Sequence, residues 1–161
     1  MTTPDSCVFA FTPDVITAFT EGDCWELARQ INMIAGHTIV TASSSTSDAW
    51  YHAANMLPDG RIVDIEGIWS EAVWLKKWQG EASYEMDGLF AATWTHKEFL
   101  HEIADCGFDP MFNEFEKAKD HAESVLANVE NDAVITHLDG KRAKKVPARN
   151  AVANRRICIT A

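Results

Sequence analysis

The chain lacks any apolar run approaching the ~20 residues that a membrane-crossing helix requires, which excludes a helical membrane span. Its N-terminus has neither a positively charged lead-in nor a cleavable apolar stretch, so a soluble, cytosolic protein is expected. Its four cysteines, Cys7, Cys24, Cys106 and Cys158, include no CxxC pair, which argues against a zinc ribbon and a disulfide framework and leaves free thiols. No glycine-rich phosphate loop of either the GxGxxG or the Walker type occurs, so nucleotide-dependent chemistry has no support and no cofactor is expected. Internal repeats are absent, and the only low-complexity tract is Ser43-Ser44-Ser45-Thr46-Ser47.

Acidic side chains are missing from the C-terminal stretch. None follows Asp139, while Lys141, Arg142, Lys144, Lys145, Arg149, Arg155 and Arg156 make up seven of the fourteen basic residues. This strip either offsets the acidic body or meets an acidic partner. The net charge of −10 excludes general affinity for nucleic acid or anionic membrane, both of which demand a basic surface. With 161 residues, 47% of them hydrophobic, and six tryptophans, the chain can close one core, so a single domain over residues 1–161 is expected.

Against these absences one segment stands out. Gly22-Asp23 leads into Cys24, and Cys24, Ala28, Ile31 and Ala35 recur at helical spacing before Gly36, which predicts a helix over 24–35. Asp23 is placed to cap it, with Glu26 completing a capping-box-like pattern. Cys24 then falls in the first turn, where unpaired amides and the positive end of the helix dipole favour a thiolate.

His37–Ala42 is β-branched and predicts a strand, and Ala49–Leu57 and Arg61–Glu66 predict a hairpin around Pro58-Asp59-Gly60. If Leu57 pairs with Arg61, His52 lies opposite Glu66 and diagonal to Asp64, within the ~7–8 Å over which cross-strand side chains meet. A thiol at a helix start, an imidazole on a strand and a carboxylate on the next match the needs of a nucleophile, its base and the group that orients the base. Cys24, His52 and Asp64 are therefore the candidate catalytic residues, with Glu66 as the reserve orienter. Trp25, Trp50, Glu66 and Trp69 are the candidate substrate-binding residues.

The remaining segments read as body. A helix is expected over Ser70–Gln79, stopped by Gly80; a second begins at the capping box Thr95-His96-Lys97-Glu98 and stops at Gly107. Asp109-Pro110 opens a long helix to about Val129, and Ala133–Leu138 and Arg155–Thr160 read as strands, with a turn at Asp139-Gly140. The sum is an α+β fold: an N-terminal nucleophile helix on an antiparallel sheet, with a helical insertion at about 95–130.

The order Cys24, His52, Asp64, together with the hairpin Leu57-Pro58-Asp59-Gly60-Arg61-Ile62-Val63-Asp64, resembles the papain-like superfamily of cysteine hydrolases. The likeness is to its transglutaminase-like and NlpC/P60-like branches, in particular small bacterial and phage members, and covers about residues 20–67. It implies attack by a thiolate on an amide carbonyl of a protein or peptide, giving hydrolysis or transfer through an acyl-enzyme. Papain-type enzymes carry a glutamine shortly before the nucleophile to bind the oxyanion; here only Thr17 and Thr20 offer side-chain donors, and the Cys24 amide is one backbone donor.

Each residue also has an ordinary use. Cys24 can serve as a small apolar core residue, His52 as a hydrogen-bonded core histidine, and Asp64 as a hydrogen-bonding residue of the hairpin. Two alternatives to the peptidase reading follow: a non-catalytic effector or inhibitor that binds a protein through its acidic surface and tryptophans, and a protein glutamine deamidase or transglutaminase. His96, His101 and Cys106 lie five apart on one helix and cannot share a ligand face; with His121 at most a two-residue metal site is left, below what stable zinc binding needs, and no metal is expected. Trp69, Trp74 and Trp78 either line a peptide groove or fill a core.

Overall fold

A computed structural model describes residues 6–46, 49–81, 88–107 and 115–143. Six strands, β1 (Ser6–Val8), β2 (Thr38–Ser44), β3 (Trp50–Met56), β4 (Ile62–Val63), β5 (Gly67–Trp69) and β6 (Leu89–Trp94), form one sheet. Its order is β1-β5-β4-β3-β2-β6, and every neighbouring pair is antiparallel. Five helices accompany it: α1 (Pro13–Glu21), α2 (Cys24–Ala35), α3 (Glu71–Glu81), α4 (His96–Asp105) and α5 (Phe115–Ala143). The α+β class is thereby observed. Among the described residues no helix is long and apolar enough to cross a membrane.

Strand alternation distributes the helices over the sheet. Ile39 and Ala53 pack with Trp25 and Ala28 of α2 and with Phe99 and Ile103 of α4. Their chain neighbours Val40 and Ala54 point the other way and pack with Trp74 and Trp78 of α3. A third cluster joins Leu27 and Ile31 of α2 to Val63, Ile65 and Ile68 and to Ala118, Ala122 and Val125 of α5. Helix α2 is thus covered on several sides, and every residue from Cys24 to Ile31 is buried.

Burial of α2 determines how its polar side chains are used. Arg29 donates to Glu26 through Nε at 2.9 Å and Nη2 at 2.8 Å, and Gln30 Nε2 adds a third bond at 2.9 Å. An arginine in that position requires a carboxylate, so Glu26 turns along the helix and the expected capping box does not form. Asp23 occupies the N-cap position without a side-chain capping bond. At the other end Gly36, the expected stop, takes a left-handed conformation with φ of 71°.

The predicted hairpin forms in the expected register: Leu57 N donates to Arg61 O at 2.8 Å, and Asn55 and Met56 face Val63 and Ile62. Gly60 closes the turn with φ of 85°. The second strand is shorter than the expected Arg61–Glu66. Asp64 Oδ1 captures the amides of Glu66 and Gly67 at 2.9 and 3.2 Å, bending the chain after Val63 and returning it as β5.

Other boundaries shift for identifiable reasons. Gly80 does not stop α3, which continues to Glu81; one glycine inside a helix costs only about 1 kcal/mol. The Thr95 capping box is present, with Thr95 Oγ1 accepting from Glu98 N and Glu98 Oε2 accepting from Thr95 N, and α4 ends before Gly107. The strand expected at Ala133–Leu138 is helical, and the Asp139-Gly140 turn lies inside α5. Extending an existing helix adds one hydrogen bond per residue without a new nucleation step, which overrides the β-branched Val134-Ile135-Thr136. The start of that helix at 109–114 and the strand expected at Arg155–Thr160 lie outside the described residues. Helices α4 and α5 follow β6, and no strand comes after them among the described residues.

Candidate active site

Cys24 is the first residue of α2, entered from α1 through Gly22 and Asp23. Asp23 O accepts from Glu26 N and Leu27 N at 3.1 and 3.2 Å, starting the helix so that the first-turn amides point away from its body. Cys24 is 5% exposed and lines a cleft of about 410 Å³ together with Thr20, Glu21, Gly22, Ala49, Trp50, Tyr51 and Cys106. It is therefore reached from one side only.

His52 arrives from β3, aided by an irregularity in the ladder. Ala42 pairs with His52, yet Ser43 pairs with Trp50, so Tyr51 is the extra residue of a β-bulge. Residues two apart on a regular strand share a face. Here Trp50 packs against Phe99 of α4, at 6.1 Å between ring centroids, while His52 stacks on Trp78 of α3 at 3.9 Å with 17° between the planes. The bulge separates them and lets the imidazole meet both Cys24 and Asp64.

Asp64 is buried and saturated with donors. Besides the two amides of its own turn, Oδ1 accepts from Trp69 Nε1 at 3.0 Å, and Oδ2 accepts from Trp74 Nε1 at 3.1 Å. Oδ2 also stands 3.5 Å from His52 Nε2. That separation is an ion-pair distance rather than a full hydrogen bond, and neither ring nitrogen of His52 has a bond of ideal geometry.

The three groups shift one another. Burial alone raises the Cys24 thiol, but the charge and ring N–H of His52, with the amides of Ala53 and Trp25, outweigh it and bring the thiol below its ordinary value. Burial likewise disfavours a charged His52, yet the sulfur and the Asp64 carboxylate hold its pKa up at about 9. For Asp64, burial opposes ionisation and is overcome by His52, by the charge of Lys77 and by the Trp69 indole, leaving the carboxyl below the usual range. All three shifts run in the direction of a thiolate facing an imidazolium backed by a carboxylate.

The expected substrate-binding residues fare differently. Trp50 lines the cleft beside Cys24 and donates through Nε1 to Glu102 Oε1 at 3.1 Å. Trp25 is 1% exposed and belongs to the core with Ile39 and Phe99, so it does not reach a substrate. Trp69 supports Asp64 instead, and the Glu66 carboxylate is bound by Lys77, which removes it as an orienter of His52. Thr20 borders the cleft, but its hydroxyl donates to Ile16 O at 2.9 Å. Trp74 and Trp78, expected either to line a peptide groove or to fill a core, are buried against the site: one indole donates to Asp64, the other stacks on His52. Their signal is the spacing of four, which puts both indoles on one helix face; the Trp74 N–H is the one that meets an acceptor there.

His96 Nδ1 is 2.9 Å from Asn32 Oδ1, and His121 lies edge-on to Phe11 and Phe19, so these two histidines are engaged away from the Cys24 cleft. Among the described residues no cluster of three metal-ligating side chains occurs. No protein-family model, curated protein or solved structure matches the chain.

Proposed function

We propose that the protein is a cysteine-dependent amide hydrolase or acyltransferase with α2 as its nucleophile helix, similar to papain-like enzymes. The observation that carries the reading is the buried line Cys24–His52–Asp64, in which the carboxylate is anchored by two indoles and the imidazole is stacked on a third. A core histidine has no need of so much support on one side while its other face meets a thiol at a cleft.

In this reading the Cys24 thiolate attacks the carbonyl carbon of a bound amide, and the electron pair of the C=O bond moves to oxygen. The first-turn amide of Cys24 donates to that oxyanion, since it has no partner within the helix. The tetrahedral adduct collapses, the C–N bond breaks, and His52 gives its proton to the departing nitrogen. Neutral His52 then takes a proton from water, or from an acceptor amine, as that nucleophile attacks the thioester and releases Cys24. Asp64, engaged with Nε2, leaves Nδ1 as the nitrogen that exchanges protons with the sulfur.

Iodoacetamide tests the reading without a known substrate. Cys24 is buried, Cys7 half-buried and Cys106 exposed. Peptide mapping after brief treatment at pH 6.5 should find Cys24 alkylated at least tenfold faster than Cys106, despite its lower exposure, and His52→Ala should remove the advantage. Reaction in the order of exposure would refute the proposal. Deamidation, the same chemistry with ammonia as leaving group, would be read as a mass gain of about one dalton on a treated protein without chain cleavage.

A further inference from the structure

The Cys24 cleft does not end at Ala49. That residue also borders a second cleft of about 660 Å³, lined by residues of β2 and β6 that include Trp94 and by Glu102 of α4. Trp50 of the first cleft is hydrogen-bonded to Glu102 of the second, so the two clefts adjoin and together form one groove. Its charge is one-sided. Glu21 lies on the Cys24 side and Glu102 on the far side, and no Lys, Arg or His occurs among the described residues lining either cleft. Trp50, Tyr51 and Trp94 add aromatic faces, the surfaces on which ammonium and guanidinium groups settle.

Position within the groove gives these carboxylates a role. Glu21 is three residues before Cys24, across the turn that starts α2, and Glu102 is held in place by the Trp50 indole. A chain laid along the groove with its carbonyl at Cys24 therefore passes Glu21 in the cleft of Cys24 and Glu102 in the adjoining one. An anionic side chain there meets like charge within an already acidic molecule of net charge −10, whereas a cation is drawn in. We infer that the groove selects amide substrates bearing a positive charge, a Lys or Arg side chain or a free amine, next to the bond attacked by Cys24. This rests on the proposed role of Cys24 and names the substrate class for it.

Two charged probes separate the inference from its foundation. Trimethylammonioethyl methanethiosulfonate and sulfonatoethyl methanethiosulfonate transfer groups of opposite charge to a thiol. Their rates at Cys24 are measured by peptide mapping in a Cys106→Ser background, which leaves Cys24 as the cleft's thiol, and each is divided by the rate with the neutral thiol β-mercaptoethanol. The normalised cationic-to-anionic ratio should exceed about ten, and Glu21→Gln and Glu102→Gln should each lower it about threefold, as expected for one charge at several ångströms near a surface. A ratio near one, or one that neither substitution moves, overturns the charge selection while rapid reaction at Cys24 leaves the nucleophile reading standing. Failure of both probes to modify Cys24 in the folded protein, with reaction in urea, overturns the two together.

Discussion

Asp64 concentrates more of the fold's hydrogen bonding in one side chain than its neighbours in the site. Its two oxygens accept from two backbone amides and two indoles and face the imidazole. The group therefore serves both as a hydrogen-bonding residue of its turn and as the partner of His52, uses that appear as rivals in the sequence and coincide in the structure. Asp64→Asn keeps the shape and removes the charge. Since the carboxylate is among the causes that hold the His52 pKa at about 9, the imidazolium of the variant should lose its proton at lower pH, followed by NMR of histidine-labelled protein. An unchanged midpoint would mean that Asp64 acts on the turn alone. The positions of Cys24, His52 and Asp64 were legible because helix-start chemistry and strand pairing are local. The roles of Trp25, Trp69 and Glu66 were not, because which side of an element faces a cleft depends on what packs against the other side.

Elements with a strong local signal appear where the sequence places them. Helix α2, the Pro58-Asp59-Gly60 hairpin and the Thr95 capping box follow from caps, periodicity and turn residues. Strands β1, β5 and β6 and helix α1 have no counterpart among the expected elements. For α1 the signal exists in Thr12-Pro13, an N-cap followed by proline in the first turn. For β6 it exists in the aromatic and β-branched run Leu89–Trp94 between Gly88 and Thr95. The three-residue strands β1 and β5 carry too little pattern alone; they exist through each other, with Cys7 opposite Ile68 and Val8 opposite Gly67. At Gly67 a Cβ would stand 2.1 Å from the Cys7 carbonyl oxygen, so only glycine permits this approach. Gly67→Ala should lower stability by about 2–3 kcal/mol, as overpacking does, in urea denaturation. A loss below about 0.5 kcal/mol, the level of ordinary surface changes, would show that β1 is not held in this register.

Across the molecule, the site is a product of tertiary assembly. Cys24 starts a helix buried between α5, α4 and the sheet, His52 comes from an interior strand re-aimed by a bulge, and Asp64 comes from a turn under α3. The two faces of the sheet contribute different parts: α2 brings the sulfur, and α3 brings the indoles that hold His52 and Asp64. The α+β class was legible from alternating helix and strand patterns, whereas the reach of α5 was not, because helix continuation past Val129 overrides local β preference. What the assembly achieves electrostatically is a thiol held below its ordinary pKa of 9.0 inside an acidic protein whose burial alone would push it the other way. The alkylation rate of Cys24 as a function of pH tests this most directly. In the folded protein the rate should rise to its plateau with a midpoint below 9.0, and in urea, where residues 24, 52 and 64 part, the midpoint should return to the ordinary thiol value. A folded-state midpoint at or above that of the unfolded chain would contradict the thiolate–imidazolium pair and the function built on it.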